Sequence, residues 1–253
     1  MTVVPKKGLG QHFLVDENIL GVIARLAELD RSDVVLEVGP GLGVLTRFLA
    51  ERVAWVHAAE IDRSLGPRLR GIPRTTLHWG DALALEPETV DPAPGKLVSN
   101  LPYNIATPLG VESLDRYPGV DLWCVMVQRE VADRFFAAPR TKAYGAVSVL
   151  VQLASERTGL HPVSREVFRP RPNVDSALVA FRRTAGGIDP SVKRLVEGAF
   201  AHRRKTLANS LALSGTATRE LAAAALEGLG RPRAARAEEL APPEFVALAA
   251  ELA

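Results

Sequence analysis

Several short segments of this 253-residue chain carry side chains whose types and spacing could do chemistry. Glu37-Val38-Gly39-Pro40-Gly41-Leu42-Gly43 is a glycine-rich turn in which missing side chains let a ligand approach the backbone closely. Such turns serve dinucleotides, methionine-derived cofactors or no ligand, and the acid ahead of the glycines favours a cationic ligand over a pyrophosphate. Ala59-Glu60-Ile61-Asp62 places a carboxylate about 20 residues further on, where Glu60 can accept both ribose hydroxyl hydrogens of an adenosyl group. Dinucleotide enzymes share that feature. In Gly80-Asp81-Ala82, Asp81 can accept from an adenine amino group or simply cap the helix that follows.

Asn100-Leu101-Pro102-Tyr103 discriminates between these readings. The lone pair of an adenine N6 is delocalised into the ring, so the nitrogen is a poor nucleophile until acceptors hold its two hydrogens. The Asn100 side-chain carbonyl and the Leu101 backbone carbonyl can supply those acceptors, with Pro102 fixing the turn and Tyr103 stacking on the base. A hydride-transferring nicotinamide enzyme has no use for this arrangement, and no hydride-transfer constellation accompanies it.

The elements that must position these segments alternate. Ile19 to Leu29 has the 3.6-residue apolar rhythm of a helix with one buried face. Val34 to Val38, Ala54 to Ile61, Thr76 to Trp79, Leu97 to Asn100 and Leu122 to Val127 read as strands, and Val44 to Glu51 as a helix. That order predicts an α/β fold with a mostly parallel sheet and helices on both faces, and ligands bind such sheets beyond the carboxyl ends of the strands. Each motif falls at such an end. Ala146 to Ala154 reads as a further helix, and Glu156 to Val163 and Ser176 to Arg183 as two strands about a Pro-rich connection. Gly186-Gly187 marks a boundary. Beyond it Asp189-Pro190 supplies an N-cap and first-turn proline, and Val192 to Phe200, Leu221 to Leu229 and Pro243 to Leu252 read as helices.

With 47% apolar residues the chain can bury a large core, which excludes global disorder. Its one cysteine, Cys124, sits in an apolar run and reads as a buried strand thiol, so no disulfide framework is possible within the chain. Met1 to Gly10 lacks the apolar core of a secretory signal, and no apolar run reaches the ~20 residues of a membrane span. The expectation is a cytoplasmic protein without a membrane partner, monomeric by default. Net charge is only +2, yet between Arg157 and Lys205 there are eleven Lys/Arg against four acids. That stretch could face phosphates or be a solvated basic face.

Taken together, these motifs resemble the KsgA family of small-subunit ribosomal RNA adenine dimethyltransferases, nearly end to end. The resemblance is carried by Gly8-Leu9-Gly10-Gln11-His12-Phe13-Leu14, the turn at Glu37 to Gly43, NLPYNIATPL at Asn100 to Leu109, FRPRPNVDS at Phe168 to Ser176, and Phe200-Ala201-His202-Arg203-Arg204-Lys205-Thr206-Leu207. It implies a Rossmann-like class I S-adenosylmethionine-dependent methyltransferase sheet (1–185) with a small C-terminal all-helical domain (186–253). It implies S-adenosylmethionine contacts from His12, Leu14, Gly39, Gly41, Glu60, Asp81 and Asn100, with Asn100, Leu101, Pro102, Tyr103 and Phe168 holding the target base. No metal is implied. His12 stands where the family usually has Asn, and an imidazole can still donate or accept there. The implied partner is 16S rRNA in the small subunit or its precursor, modified at two adjacent adenosines near its 3′ end. Arg203, Arg204 and Lys205, expected on one helix, are the leading phosphate contacts. Two alternatives use the same motifs: a resistance methyltransferase acting on 23S RNA, against which the Phe168 and Phe200 segments argue, and an RNA-binding assembly factor with catalysis dispensable.

Overall fold

The computed structural model describes residues 5–184 and 187–252. They fall into two compact units, 5–132 with 156–184, and 133–155 with 187–252.

The first unit is built on β1 (Phe13–Leu14), α1 (Asn18–Leu26), β2 (Val34–Val38), α2 (Val44–Ala50), β3 (Trp55–Glu60), α3 (Gly66–Leu69), β4 (Thr75–Trp79), β5 (Lys96–Asn100), α4 (Ala106–Arg116) and β6 (Leu122–Gln128). After α5 (Arg129–Phe135) and α6 (Ala146–Ala154), β7 (Ser155–Val163), β8 (Phe168–Arg169) and β9 (Ser176–Arg183) complete the strands. Seven of these form one sheet in the order β4-β3-β2-β5-β6-β9-β7, parallel from β4 through β6, with β9 antiparallel to β6. The strands are apolar because their faces are covered: Val35, Leu36, Val56, Val98, Cys124 and Met126 are all fully buried. Burial pushes the Cys124 thiol up to about 12, as a packed strand cysteine requires. Helix α1 turns Ile19, Leu20 and Ile23 inward and packs them into the same core as Leu45, Leu49 and Leu178.

The strand order reverses beside β2, which has β3 on one side and β5 on the other. There the β2–β5 ladder pairs Val35 with Lys96 and Leu36 with Leu97. Further along, the buried Ser99 hydroxyl takes over the pairing: it accepts from the Val38 N–H at 3.2 Å and donates to the Val38 carbonyl. A side chain therefore holds the two strand ends at the place where a cleft must open.

The second unit gathers α6 with α7 (Pro190–Phe200), α8 (Leu207–Leu213), α9 (Arg219–Gly228) and α10 (Pro242–Glu251), so it is helical, as the tail predicts. It also takes in residues 133–155, which the sequence reading leaves with the sheet; α6 packs on α7 and α10, and Val149, Leu150, Val151 and Ala154 are buried around most of its circumference. Thr206 and Thr218 cap α8 and α9, accepting from the N–H groups of Asn209 and Leu221. The Tyr144 hydroxyl donates to the Leu240 carbonyl at 2.7 Å, and Arg231 grips Glu244 through two bonds of 2.6 and 2.8 Å.

Two expectations change, and a third falls in part outside the described residues. Arg203, Arg204 and Lys205 lie in the turn between α7 and α8, since α7 stops at Phe200 and the Thr206 cap starts a new helix. Phe168 and Arg169, read as a connection, form a short antiparallel ladder with β1. Of the Gly186-Gly187 boundary, Gly186 lies outside the described residues. Among the described residues no helix is long and apolar enough to cross a membrane.

Replacing Ser99 by Ala leaves the buried Val38 N–H without that acceptor, at an expected cost of about 1–3 kcal/mol. Urea unfolding of Ser99→Ala against its parent measures it, and coincident midpoints would dismiss the bridging role.

Candidate functional site

An open cleft lies over the carboxyl ends of β2, β3 and β5. Its walls are the segment from Leu9 to Leu14, the turn from Gly39 to Leu42, Glu37, Glu60 and Ile61, and the loop Asn100 to Tyr103. The glycines are required by close approach as well as by backbone conformation. Gly39 and Gly41 sit at φ +73° and +56°, and a Cβ on them would come within 2.9 Å of Pro102 and Phe13 respectively. The turn is thus pressed against both neighbouring walls.

Three carboxyl groups line or flank this cleft, and each is accommodated differently. Glu37 is 2% exposed, and its Oε2 has no hydrogen-bond partner. Burial, partly offset by the neighbouring Thr46 hydroxyl and reinforced by Glu60, pushes its carboxyl up to about 8. Glu60 accepts from two backbone N–H groups, Asp62 at 2.8 Å and Gly41 at 3.1 Å, yet burial still raises its pKa above the usual range. In Asp62, burial is opposed and outweighed by hydrogen bonds from Lys6, Ser64 and Gln11, which hold the carboxylate well below that range.

On the opposite wall the Asn100 amide is oriented. Its Nδ2 donates to the His12 carbonyl at 3.1 Å, which leaves Oδ1 as an acceptor. Leu101 is tied to β6 through its N–H and the Met126 carbonyl at 3.0 Å. The Tyr103 hydroxyl meets Ser176 Oγ at 2.7 Å, and its ring lies 5.2 Å from that of His12. His12 Nδ1 sits 2.8 Å from the Pro170 carbonyl. A carbonyl can only accept, so Nδ1 carries a proton and Nε2 is left toward other partners.

Of the residues singled out from sequence, His12, Leu14, Gly39, Gly41, Glu60, Asn100, Leu101, Pro102 and Tyr103 come together around this one cleft. Asp81 does not line it. It borders an adjacent groove with His78 and Trp79, and its Oδ1 accepts from the Leu83 N–H at 2.9 Å, closing a turn that no helix follows, so the expected helix cap is not formed. Phe168 is fully buried opposite Leu14 within the core and presents no face to the cleft, so an aromatic sandwich with Tyr103 is not formed in this conformation. Arg203, Arg204 and Lys205 belong to the second unit and are exposed; the Arg203 guanidinium donates to the Tyr144 carbonyl at 2.9 Å. Sequence reasoning missed Lys6, Gln11 and Asp62 as a group. Only the adjacency of Asp62 to Glu60 hinted at it.

Comparison with known proteins places the chain in a narrow neighbourhood. A family model described as ribosomal RNA adenine dimethylase matches residues 5–245. A protein of Rubrobacter xylanophilus named ribosomal RNA small subunit methyltransferase A is 48% identical over 250 residues, covering 96% of this chain and 94% of its own. One of the same name from Leifsonia xyli subsp. xyli is 43% identical over 98% of this chain and 92% of its own. Among solved structures, a dimethyladenosine transferase from Plasmodium falciparum shares the fold, with TM-score 0.76, 24% identity and coverage of 94% and 96% of the two chains. The 23S rRNA methyltransferase ErmE superposes with TM-score 0.66 at 30% identity, covering 95% of this chain and 99% of that one.

Glu37 generates a pH signature. The folded protein keeps its proton up to about pH 8, whereas an unfolded glutamate releases it near 4.5. The stability it contributes is therefore full below about pH 4.5 and is lost as pH rises through about 8. Glu37→Gln, neutral throughout, is expected to show a flatter decline of urea midpoint between about pH 5 and about pH 8. Superimposable slopes for variant and parent would contradict the assignment.

Proposed function

The chain belongs to the ribosomal RNA adenine dimethylase family, and on that premise we propose that its substrate is 16S rRNA in the small ribosomal subunit or its precursor. It is an S-adenosylmethionine-dependent rRNA adenine N6,N6-dimethyltransferase. The finer reading is that two adjacent adenosines near the 3′ end of that RNA are modified. What supports small-subunit specificity is the name carried by relatives 48% and 43% identical, together with the Phe168 to Ser176 and Phe200 to Leu207 segments.

The cleft fits the cofactor's chemistry: an acidic wall with a buried, unpartnered Glu37 oxygen suits a cationic ligand, and Glu60 suits a ribose diol. When bound, S-adenosylmethionine supplies a methyl on a positively charged sulfur, which departs as a neutral thioether. The protein's task is alignment and placement of charge, so no general base is assigned. One observation carries the reading. The Asn100 amide, anchored through Nδ2, turns its Oδ1 to an incoming amine. That oxygen and the Leu101 carbonyl accept the two N6 hydrogens, favour a pyramidal nitrogen, and stabilise the positive charge it gains on methylation. Water takes the proton afterwards. Pro102 fixes the turn and Tyr103 offers its ring to the base, offsetting part of the few kcal/mol needed to unstack it.

His12, Leu14, Gly39, Gly41, Glu60 and Asn100 are proposed cofactor contacts. Asp81 and Phe168 would join the site only after moving from their turn and core positions. A monomer acting on a ribosomal substrate in the cytoplasm belongs to the same proposal. The second reading, methylation of 23S RNA, is favoured by the 30% identity to ErmE, and an assembly role can coexist with catalysis.

Labelled S-adenosylmethionine incubated with unmethylated 30S particles is expected to yield N6,N6-dimethyladenosine, while 23S RNA stays unlabelled; label on 23S RNA alone would reverse the assignment. Asn100→Ala should retain cofactor binding and lose about 100- to about 1000-fold in turnover, and near-parental turnover refutes its role. For the basic turn, alanine at Arg203, Arg204 and Lys205 together should flatten the log–log salt dependence of 30S binding by about 2 to about 3. An unchanged slope would return the turn to a solvated surface.

A further inference from the structure

Asp62 lies just past β3, outside the residues that the proposed chemistry uses, yet it is 4% exposed and fully engaged. Its Oδ1 receives the Lys6 ammonium at 2.6 Å and its Oδ2 receives the Gln11 amide at 3.1 Å. Gln11 Oε1 in turn accepts from the Lys6 N–H at 2.8 Å, closing the group into a ring of bonds. Charge-assisted bonds to a buried carboxylate are the stronger kind, so this knot fixes the start of the segment that runs over the cleft.

From the knot the chain passes directly onto the loop that holds the target base. At Gly10, φ +62°, a Cβ would sit 3.3 Å from Asn104 Oδ1 and 3.5 Å from the Tyr103 N. Two residues on, the His12 carbonyl accepts the Asn100 Nδ2. Past His12 the segment is tied again, through Nδ1 to Pro170 and through the pairing of Phe13 with Arg169. The His12 carbonyl thus hangs between two fixed points, and releasing either lets it drift. The consequence is chemical. A primary amide turns about its last torsion with little resistance, and without the carbonyl to hold Nδ2 it can present NH₂ where Oδ1 belongs. A donor would then face a donor, and the adenine amine would be repelled.

We infer that Asp62 is a positioning residue for methyl transfer: by pinning Lys6 and Gln11 it holds the His12 carbonyl where it selects the productive face of the Asn100 amide. This rests on Asn100 being the acceptor proposed above.

The test measures kcat and KM on unmethylated 30S particles at saturating S-adenosylmethionine for Asp62→Asn, Lys6→Met, Lys6→Arg and the Asp62→Asn/Lys6→Met double variant, with Asn100→Ala alongside. Lys6→Met leaves the Asp62 bonds to Ser64 and Gln11 intact, so it removes the charge-assisted contact that anchors the pin without disturbing the turn after β3. Either single loss should lower kcat by about 10- to about 100-fold with KM for the particle unmoved. The double variant should be no worse than the poorer single one, and Lys6→Arg should recover most of the activity. Parental kcat in Lys6→Met and Asp62→Asn beside an inactive Asn100→Ala overturns this inference alone, as does a double loss equal to the product of the singles or a failure of Lys6→Arg to recover. Near-parental turnover in Asn100→Ala overturns it together with the reading on which it rests.

Discussion

The separation of β2 from β5 is the constraint on which this molecule depends. Parallel strands hydrogen-bonded to their ends leave no room for a ligand; at the reversal of strand order the two ends lead their chains to different neighbours, and a crevice opens between them. Here the backbone ladder pairs Val35 with Lys96 and Leu36 with Leu97, and Ser99 carries the connection to Val38 with a side chain. The glycine turn follows β2 and the Asn100 loop follows β5, so both walls of the cleft inherit their spacing from that one hydroxyl. Pressing Gly39 against Pro102 then makes the walls a single packed object, with no slack for a side chain at either glycine.

Crowding three carboxyl groups into one corner would be prohibitive if all were bare anions. The fold treats each by a separate route: Glu37 keeps its proton, Glu60 is bonded by backbone N–H groups, and Asp62 is matched by an ammonium. The result is a gradient of charge along one wall, neutral and unsatisfied at the floor and ionic at the rim. A cation entering the floor meets the one acid with an oxygen to spare. The opposite wall has no charge to place and works through direction instead, with an amide and backbone carbonyls.

Much of this was legible in the residues. The boundaries of β2, β9 and α6 coincide with the apolar runs that announce them, because buried parallel strands and one-faced helices leave a strong periodic trace. Three of the four strand-end motifs, at Gly39, Glu60 and Asn100, marked the cleft for the same reason, while Asp81 borders the groove beside it. What escaped was long-range or local in a different sense. The two-residue ladder of β1 with β8 has too few residues for any period, and the Lys6–Gln11–Asp62 knot joins positions whose sequence separation hides their contact. Arg203 to Lys205 continued the helical charge pattern of α7, but the Thr206 cap gave the backbone a better alternative. Phe168 shows the limit of motif transfer: the aromatic is present, but an apolar ring with a core available packs there.

The ladder between β1 and β8 also sets an order of events in time. Phe13 finds Arg169, and Leu14 finds Phe168, only after more than half of the polypeptide has been synthesised. Closing so wide a loop costs entropy that local contacts cannot offset in advance. The nascent protein therefore carries its glycine turn and its Asn100 loop for a long stretch of translation with the far end of the amino-terminal wall, at Phe13 and Leu14, still unpaired. That wall is closed at its far end only when the ribosome has already made most of the enzyme destined to act on its kind.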